Sequence, residues 1–301
     1  MKNSSVYDRL MKILDKSQIL TDEPMKNHTS FRIGGLADFI VMPNGAEQIS
    51  AIVKEFHDVP LFVMGNGSNM LVSDNGIRGI VIKICENMKD ISLEGNILTC
   101  QSGALLSSIA SYALKNSLGG FEFASGIPGT VGGAVVMNAG AYDGEMKDVV
   151  ISTVYIDENG DVHEITGDAH EFGYRKSIFS GKRWIIIENR LKLFEKPRDE
   201  IKAKMQEFAK LRRDKQPLEC YSAGSIFKRP EGYYAGKLIE DAGLRGFRIG
   251  GACVSQKHCG FIVNDRNASF DDVASLIRHV QNAVEDKFGV KLETEVKICG
   301  L

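Results

Sequence analysis

Arg175 lies in an aromatic-rich segment, Phe172-Gly173-Tyr174-Arg175-Lys176-Ser177-Ile178-Phe179. Packing between aromatic side chains would orient its guanidinium, and the fixed fork of N–H donors suits a carboxylate. An ordinary surface arginine would fit the same segment, because arginine is mostly exposed in folded proteins. The segment therefore makes Arg175 a candidate anion-binding residue and leaves the alternative open.

Ser225 follows a glycine and begins an apolar stretch in Gly224-Ser225-Ile226-Phe227. A serine hydroxyl that is held against a reacting atom can donate a proton to it. Ser225 is not a nucleophile of the esterase type, because the Gly-x-Ser-x-Gly pattern is absent. A turn serine is the alternative interpretation.

Two acids near the C-terminus, Glu293 and Glu295, alternate with Leu292, Thr294 and Val296. In a strand both carboxylates would lie on one face. Such a face usually meets solvent, but one that lines a cleft could supply a proton donor or an electrostatic partner. His258, in Gln256-Lys257-His258-Cys259-Gly260, is a further candidate, for which we favour a packed or orienting role.

Two glycine-rich segments could surround a cofactor. Residues 122–142 contain five glycines among apolar side chains and no lysine or arginine. Without a Cβ the backbone can approach a ligand closely, so this segment predicts a wall against a large flat cofactor. A tightly packed turn and helix is the alternative. The second segment, Gly65-Asn66-Gly67-Ser68-Asn69, follows a predicted strand and offers N–H groups to a diphosphate.

The composition and the flanking patterns exclude several classes. A net charge of −2 gives no basic field for nucleic acid or membrane. No run of 18 apolar residues and no signal-peptide pattern occurs, so we expect a cytoplasmic protein. The six cysteines form no Cys-x-x-Cys pair, which predicts reduced thiols and no metal site. Residues 65–72 match neither the Rossmann fingerprint nor a P-loop, since a strand-like segment follows and Gly-Lys-Ser/Thr is absent.

Hydrophobic spacing places these candidates on an α+β chain with a domain boundary near residues 195–205. The predicted helices lie within 1–20 and at 46–57, 105–114, 198–213 and 269–289. The predicted strands are 37–42, 60–64, 70–72, 79–84, 91–93, 97–101, 149–156, 162–165, 184–194, 225–228, 252–254, 260–263 and 292–298. The first strand, helix and strand make a parallel crossover plausible.

Taken in order, these segments resemble the UDP-N-acetylenolpyruvoylglucosamine reductase family over nearly the whole chain. The resemblance rests on residues 27–35, 65–69, 126–142, 174–179, 224–230, 254–264 and 292–296. It implies an FAD-binding domain of the vanillyl-alcohol-oxidase type over 1–198. Its two α+β subdomains would divide near residue 84, and the strand within 290–301 would complete it. Residues 199–289 would form a smaller α+β substrate-binding domain.

The resemblance also implies the cofactor contacts. Residues 65–69 would meet the FAD diphosphate, and residues 126–140 would flank the flavin. The predicted cofactor-binding residues are Gly65, Asn66, Gly67, Ser68, Asn69, Gly126, Pro128, Gly129, Gly132, Gly133, Ala134, Asn138 and Gly140. No metal is implied.

The implied activity is the NADPH-dependent, FAD-mediated reduction of UDP-N-acetylglucosamine enolpyruvate to UDP-N-acetylmuramate, a step of peptidoglycan and cell wall synthesis that serves cell shape and division. Hydride would pass from reduced flavin to C3, and Ser225 would protonate C2. Arg175 would stabilise the enol charge, with Glu295 as its acidic counterpart. The UDP phosphates would face the 210–215 cluster, including Arg213, together with Lys228, and Tyr174 would contact the substrate. The oligomeric state stays open, with a monomer as the working expectation.

The chain departs from the longer family members. Residues 232–251 leave no room for their extra folded insertion, so it resembles the compact subtype that lacks a tyrosine loop. Which aromatic covers the sugar, Tyr233 or Tyr234, stays open. Cys259 stands where the family usually has alanine and is expected to pack. The choice of Glu295 over Glu293 rests on the Glu-Val-Lys ending. The rival functions are another FAD oxidoreductase of this fold and a non-catalytic sugar-nucleotide-binding protein.

Overall fold

The computed structural model describes the chain from Lys2 to Gly300, with side chains from Ser5 onward. The helices are α1 (Lys2–Leu10), α2 (Ala46–Glu55), α3 (Leu106–Lys115), α4 (Val131–Val136), α5 (Arg198–Lys215), α6 (Ala235–Asp241) and α7 (Phe270–Phe288). Each predicted helix is present, with its ends moved by a few residues. α4 and α6 were not predicted, because each is too short to show a clear helical period.

The strands are two to eight residues long. They are β1 (Ile19–Pro24), β2 (Leu36–Val41), β3 (Leu61–Met64), β4 (Met70–Val72), β5 (Ile77–Lys83), β6 (Ile91–Glu94), β7 (Ile97–Gln101), β8 (Leu118–Gly119), β9 (Gly140–Ala141), β10 (Gly144–Glu145), β11 (Val150–Ile156), β12 (Val162–Thr166), β13 (Ile185–Lys192), β14 (Phe194–Glu195), β15 (Arg248–Ile249), β16 (Ala252–Val254), β17 (Ile262–Asn264) and β18 (Lys297–Cys299). A four-stranded sheet has the order β1-β2-β5-β3. β5 pairs in parallel with β3 and separates it from β2, so the predicted crossover spans an intervening strand.

The chain divides into two compact units. The first comprises the residues up to Thr21, Asp38–Asn66 and Gly79–Leu211. Its five-stranded antiparallel sheet has the order β12-β11-β13-β7-β6 and includes the predicted β11–β12 hairpin. α2 buries Ile49, Ile52 and Val53, which recur at helical spacing and form part of one of the unit's two apolar cores.

The second unit comprises Asp22–Ala37, Gly67–Arg78 and the chain from Arg212 onward. α7 begins with the predicted cap, in which the Ser269 hydroxyl accepts a hydrogen bond from Asp272 N–H at 3.1 Å. The Asp272 carboxylate accepts in return from Ser269 N–H at 3.0 Å, which completes a capping box. Gly289 ends the helix in the left-handed conformation, at φ 67°. The predicted domain boundaries stay a prediction.

Two predicted strands were wrong over most of their length. Residues 225–228 form only single bridges, Ser225 with Phe261 and Phe227 with Thr294, because their hydrogen bonds alternate between two neighbouring segments. Residues 292–296 are also irregular apart from the Thr294 bridge, and a ladder begins only at Lys297, where Lys297–Cys299 pairs in parallel with β4. In the described chain all six cysteines are free and no helix is long and apolar enough to cross a membrane.

Candidate active site

The two predicted glycine-rich segments meet at Gly65 and Thr130 in the first unit. A Cβ added to Gly65 would lie 2.2 Å from the Thr130 hydroxyl oxygen, so only glycine allows this approach. Thr130 is also the residue before α4, where its hydroxyl accepts from Gly133 N–H at 3.4 Å. The structure therefore brings residue 65 and residues 130–133 into one place.

Gly132 packs against the end of β7. Its N–H donates to the Ser102 carbonyl at 3.0 Å, and an added Cβ would lie 2.8 Å from Ser102 Cβ. The Ser102 hydroxyl is buried and has no hydrogen-bond partner among the described residues. Because buried polar atoms are nearly always partnered, this orphan hydroxyl fits a site that receives a polar group of a ligand.

The loop of residues 65–69 has the donors that a diphosphate requires. The N–H groups of Asn66, Gly67 and Ser68 donate to no backbone carbonyl in the described chain. Gly67 has φ 65°, which turns the backbone as nests of N–H groups do. At α4, by contrast, the N–H groups of Val131, Gly132 and Gly133 are all bonded within the protein. The N–H groups of the loop thus fit a diphosphate such as that of FAD, and those of α4 serve packing within the protein.

Asn138 and Gly140 serve protein contacts. Asn138 is fully buried, and its amide donates to Glu145 Oε2 at 2.9 Å and to the Gly173 carbonyl at 3.0 Å. A Cβ on Gly140 would lie 2.6 Å from the Gly144 carbonyl oxygen across the β9–β10 hairpin. For these two residues the structure shows tight packing within the protein, which was the alternative interpretation. Their contact with the cofactor stays a prediction.

Arg175 lies at the tip of a tight turn. Gly173 and Lys176 exchange backbone hydrogen bonds of 3.0 and 3.3 Å, and Arg175 between them has φ 55°. A non-glycine residue at positive φ costs of order 1–3 kcal/mol and persists where its surroundings enforce it, often at functional sites. Its guanidinium donates to the Gly140 carbonyl at 3.2 Å and lies 5.0 Å from the Tyr174 ring centre. The Gly140 carbonyl and the Tyr174 ring thus orient the Arg175 guanidinium, and its anion-binding role stays a prediction.

Ser225 lies on a segment held between two others of the second unit. Ile226 N–H donates to the Gly260 carbonyl at 2.9 Å, and the Ile226 carbonyl accepts from Glu295 N–H at 2.8 Å. The half-buried Ser225 hydroxyl donates to the Phe227 carbonyl at 3.1 Å. The structure therefore places the segments of Ser225 and Glu295 side by side, although they are far apart in sequence.

His258 lies beside Ser225, across a space left by Gly260. The point where a Gly260 Cβ would lie is 3.0 Å from His258 Cε1 and 3.4 Å from Ser225 Oγ. His258 Nδ1 accepts from Gly260 N–H at 3.1 Å, so a neutral ring carries its proton on Nε2. Burial lowers the pKa of His258, and the charges of Arg245 and Lys215 act in the same direction. His258 is therefore a packed neighbour of this segment, and an orienting role toward Ser225 stays a prediction.

Replacing Gly260 with alanine is expected to lower kcat about tenfold or more, because its methyl group would push on the imidazole and fill the space beside the Ser225 hydroxyl. The contacts are tight rather than impossible, so FAD content and melting temperature should change little. Steady-state kinetics check this, with Gly45→Ala as the control, since only the flexible Glu47 carboxylate lies near that position. An unchanged kcat would show that the space beside Ser225 is not needed.

The two C-terminal acids differ in environment. Glu293 is exposed and pairs with Lys228, with 3.1 Å between Nζ and Oε2. Glu295 is half-buried, and its carbonyl accepts from the Asn69 side-chain amide at 3.2 Å. Lys297 N–H donates to the Asn69 carbonyl at 3.0 Å, so Asn69 holds this segment on two sides. The predicted choice of Glu295 stays a prediction, and the burial of Glu295 favours it.

The predicted phosphate-binding and sugar-covering residues lie on exposed parts of the chain. Arg213 is exposed near the end of α5, and its carbonyl accepts from Lys257 Nζ at 2.5 Å. Tyr233 and Tyr234 are 48% and 64% exposed, and the Arg229 guanidinium lies 4.0 Å from the Tyr234 ring centre. Cys259 packs in the apolar core, as expected.

Residues 2–300 contain no cluster of His, Cys, Asp or Glu that could hold a metal.

Several residues of this region were missed in the sequence. Thr130, Ser102 and Ser177 are small polar residues in ordinary surroundings, and only the fold shows their contacts. Ser177 Oγ donates to the Val136 carbonyl at the end of α4, at 2.7 Å. For Thr130 a signal was available, because a threonine before a short apolar run predicts a helix cap.

Comparison with known proteins agrees with this geometry. A family model described as "FAD binding domain" matches residues 37–166. A second, described as "UDP-N-acetylenolpyruvoylglucosamine reductase, C-terminal domain", matches residues 216–299. The first bears out FAD as the cofactor, and together they confirm the predicted α+β class with an FAD-binding domain.

Relatives and a solved structure extend the match to the full chain. A UDP-N-acetylenolpyruvoylglucosamine reductase from Clostridioides difficile is 51% identical and covers 100% of this chain and 99% of its own length. One from Caldanaerobacter subterraneus subsp. tengcongensis is 50% identical and covers 98% of each. The crystal structure of the Thermus caldophilus enzyme has a TM-score of 0.82 at 35% identity, covering 92% of this chain and 98% of that one. The chain therefore belongs to the UDP-N-acetylenolpyruvoylglucosamine reductase family of FAD-dependent oxidoreductases.

Proposed function

We propose that this chain reduces the enolpyruvyl group of UDP-N-acetylglucosamine enolpyruvate to the lactyl group of UDP-N-acetylmuramate, with NADPH as the reductant. The product is a precursor of peptidoglycan. One observation carries the proposal: the segments of Ser225 and Glu295 are bonded to each other through the Ile226 carbonyl. In a chain of this family, that backbone link supports a site in which the Ser225 hydroxyl and the Glu295 carboxylate act together.

Ser225 supplies the proton. The substrate's carboxylate makes its double bond an electron acceptor, and addition of hydride at C3 leaves negative charge on C2 and the carboxylate. A serine hydroxyl is a very weak acid, so it must contact C2 directly and meet a strongly basic centre. The bond from Ser225 Oγ to the Phe227 carbonyl orients the hydroxyl.

Arg175 stabilises the charge that develops. Its turn and the Gly140 carbonyl fix the guanidinium before the reaction, so little reorganisation is needed when charge appears. Glu295 provides the acidic counterpart, and it is less exposed than its neighbour Glu293. Tyr174, 47% exposed, offers an aromatic surface beside the guanidinium.

FAD would be held by the N–H groups of residues 65–69 and by the glycine-rich segment 126–140. When bound, it takes electrons from NADPH and supplies hydride to the substrate. Gly65, Gly132 and Gly140 keep the surrounding backbone close, and the Ser102 hydroxyl is a buried donor for a polar group of the cofactor.

Lys228 and Arg213 would bind the UDP phosphates. Lys228 pairs with Glu293, which is 75% exposed. Because an exposed ion pair contributes little stability, exchanging Glu293 for a phosphate would cost little free energy. We place the FAD domain at residues 1–198 with 290–301 and the substrate domain at 199–289, and we propose a cytoplasmic monomer.

The test is stoichiometry with product identification. The purified protein with FAD should consume one NADPH per substrate and release a product heavier by two hydrogen atoms, measured by mass spectrometry. An enzyme that oxidises an alcohol or sugar would reduce its flavin without NADPH. A binding protein would bind the substrate without consuming NADPH. Either result would overturn the proposal. The full-length family match favours neither of these two alternative functions.

A further inference from the structure

His170 is a buried histidine that the proposed reaction does not use. Its side chain is 0% exposed, and its ring stacks on Phe172, with centres 4.9 Å apart and planes at 7°. Its Nδ1 lies 2.9 Å from the Gly167 carbonyl oxygen, and its Nε2 lies 2.9 Å from Thr153 Oγ1. Both ring nitrogens are thus engaged inside the protein.

The hydrogen bonds around His170 run in one direction. A carbonyl only accepts, so Nδ1 carries the hydrogen and donates to Gly167. Burial lowers the pKa of His170 below its ordinary 6.5, so the ring is neutral at pH 7 and Nε2 must accept from the Thr153 hydroxyl. Thr153 has no second hydrogen to give.

Asn189 completes the chain. Thr153 and Asn189 face each other across β11 and β13, and Thr153 Oγ1 lies 3.0 Å from the Oδ1 position of the amide. Since the hydroxyl hydrogen is used toward His170, the amide is turned so that its NH2 occupies this position. The turned amide gives the Asn189 nitrogen a partner and moves the oxygen to the position that has none among the described residues, which is the better tolerated case because orphaned buried N–H groups are rarer than orphaned acceptors. The chain of hydrogen bonds therefore runs from Asn189 to Thr153, from Thr153 to His170 and from His170 to Gly167, each residue donating to the next.

His170 also closes the base of the loop that carries Arg175. Its carbonyl accepts from Ile178 N–H at 2.8 Å, and the tight turn 173–176 lies between these two residues. On the far side, the Ser177 hydroxyl donates to the Val136 carbonyl at 2.7 Å. The imidazole thus links the loop base to Thr153 on β11 and, through Thr153, to Asn189 on β13.

We propose that His170 is a positioning residue: the chain Asn189–Thr153–His170–Gly167 fixes the loop 170–178 on the sheet and thereby fixes the Arg175 guanidinium. This rests on the proposed role of Arg175. Thr153 and Asn189 act with it through the same chain. None of these residues needs to touch the substrate.

Thr153→Val removes the hydroxyl and keeps the side-chain shape, whereas Thr153→Ser keeps the hydroxyl. With FAD bound and below the melting temperature, Thr153→Val should slow the substrate step about tenfold or more, because Arg175 is misplaced. Flavin reduction by NADPH should stay unchanged, and Thr153→Ser should restore the substrate step. Native-state hydrogen exchange of the Ile178 amide should become faster in Thr153→Val and stay as in the parent protein in Thr153→Ser. His170→Asn, which can keep the bond to Gly167 but loses the link to Thr153, should behave like Thr153→Val.

A purely structural role would lower the melting temperature of Thr153→Val and leave both half-reactions and the Ile178 exchange as in the parent. That result, or equal effects on both half-reactions, would overturn the proposal. The test is separable from the function itself. If the parent protein fails to turn over the substrate, the proposed function falls, while faster Ile178 exchange in Thr153→Val and His170→Asn still supports the positioning of the loop.

Discussion

Replacing Ser225 with alanine is expected to slow reduction of the substrate by about 10²–10⁴-fold, the usual contribution of a positioned proton donor. The variant should still be reduced by NADPH at the normal rate, because Ser225 acts only on substrate C2. Stopped-flow absorption of each half-reaction separates the two steps. The side chain is small and half-buried, and its loss removes only the bond to the Phe227 carbonyl, so the fold should be retained.

Ser222→Ala is the matched control for this experiment, since Ser222 lies three residues earlier in the same segment. Its backbone carbonyl, and not its side chain, accepts the bond from the Ser30 hydroxyl at 2.7 Å. We expect both half-reactions to be normal in this variant. Equal rates of substrate reduction in Ser225→Ala and the parent protein would remove Ser225 from the mechanism.

Replacing Arg175 with methionine is expected to lower kcat by about 10²–10³-fold, the cost of removing a preorganised group that stabilises developing charge. KM should change less, because the proposed interaction strengthens as charge develops. Arg175→Lys should recover only part of the rate, since an ammonium lacks the planar fork that the Gly140 carbonyl and the Tyr174 ring orient. Steady-state kinetics of the FAD-loaded variants measure this.

Arg183→Met is the control, because Arg183 is an exposed arginine of the same unit. It should have parent values of kcat and KM. If Arg175→Met raises KM and leaves kcat unchanged, Arg175 binds the substrate equally in the ground and transition states, and its proposed catalytic role is wrong.

Much of the fold could be predicted because its longer elements carry their own signals. α2 and α7 repeat apolar residues at helical spacing, and Ser269 and Gly289 mark the ends of α7. The segments 225–228 and 292–296 resisted prediction for a physical reason. Their hydrogen-bond partners come from distant parts of the chain, and successive residues bond to different neighbouring segments. Alternating apolar and polar side chains therefore predicted strands where no continuous hydrogen-bond ladder forms.

The same reasoning explains which site residues were found. Ser225, Arg175 and the glycine-rich loops can be recognised in the sequence because their neighbouring residues are unusual. Thr153 and Asn189 look like ordinary strand residues, and His170 like a loop histidine. Their bonds join residues 17 and 36 positions apart, so only the folded chain shows that they form one network.

The central claim is that electrons pass from NADPH through bound flavin to the enolpyruvyl substrate. It is tested most directly by the absorption spectrum of the FAD-loaded protein under anaerobic conditions. We predict an absorption band at about 450 nm that bleaches when NADPH is added and returns when UDP-N-acetylglucosamine enolpyruvate is added next. A band that bleaches and does not return would contradict the proposed substrate. A protein that shows no such band after addition of FAD would contradict the predicted roles of residues 65–69 and 126–140.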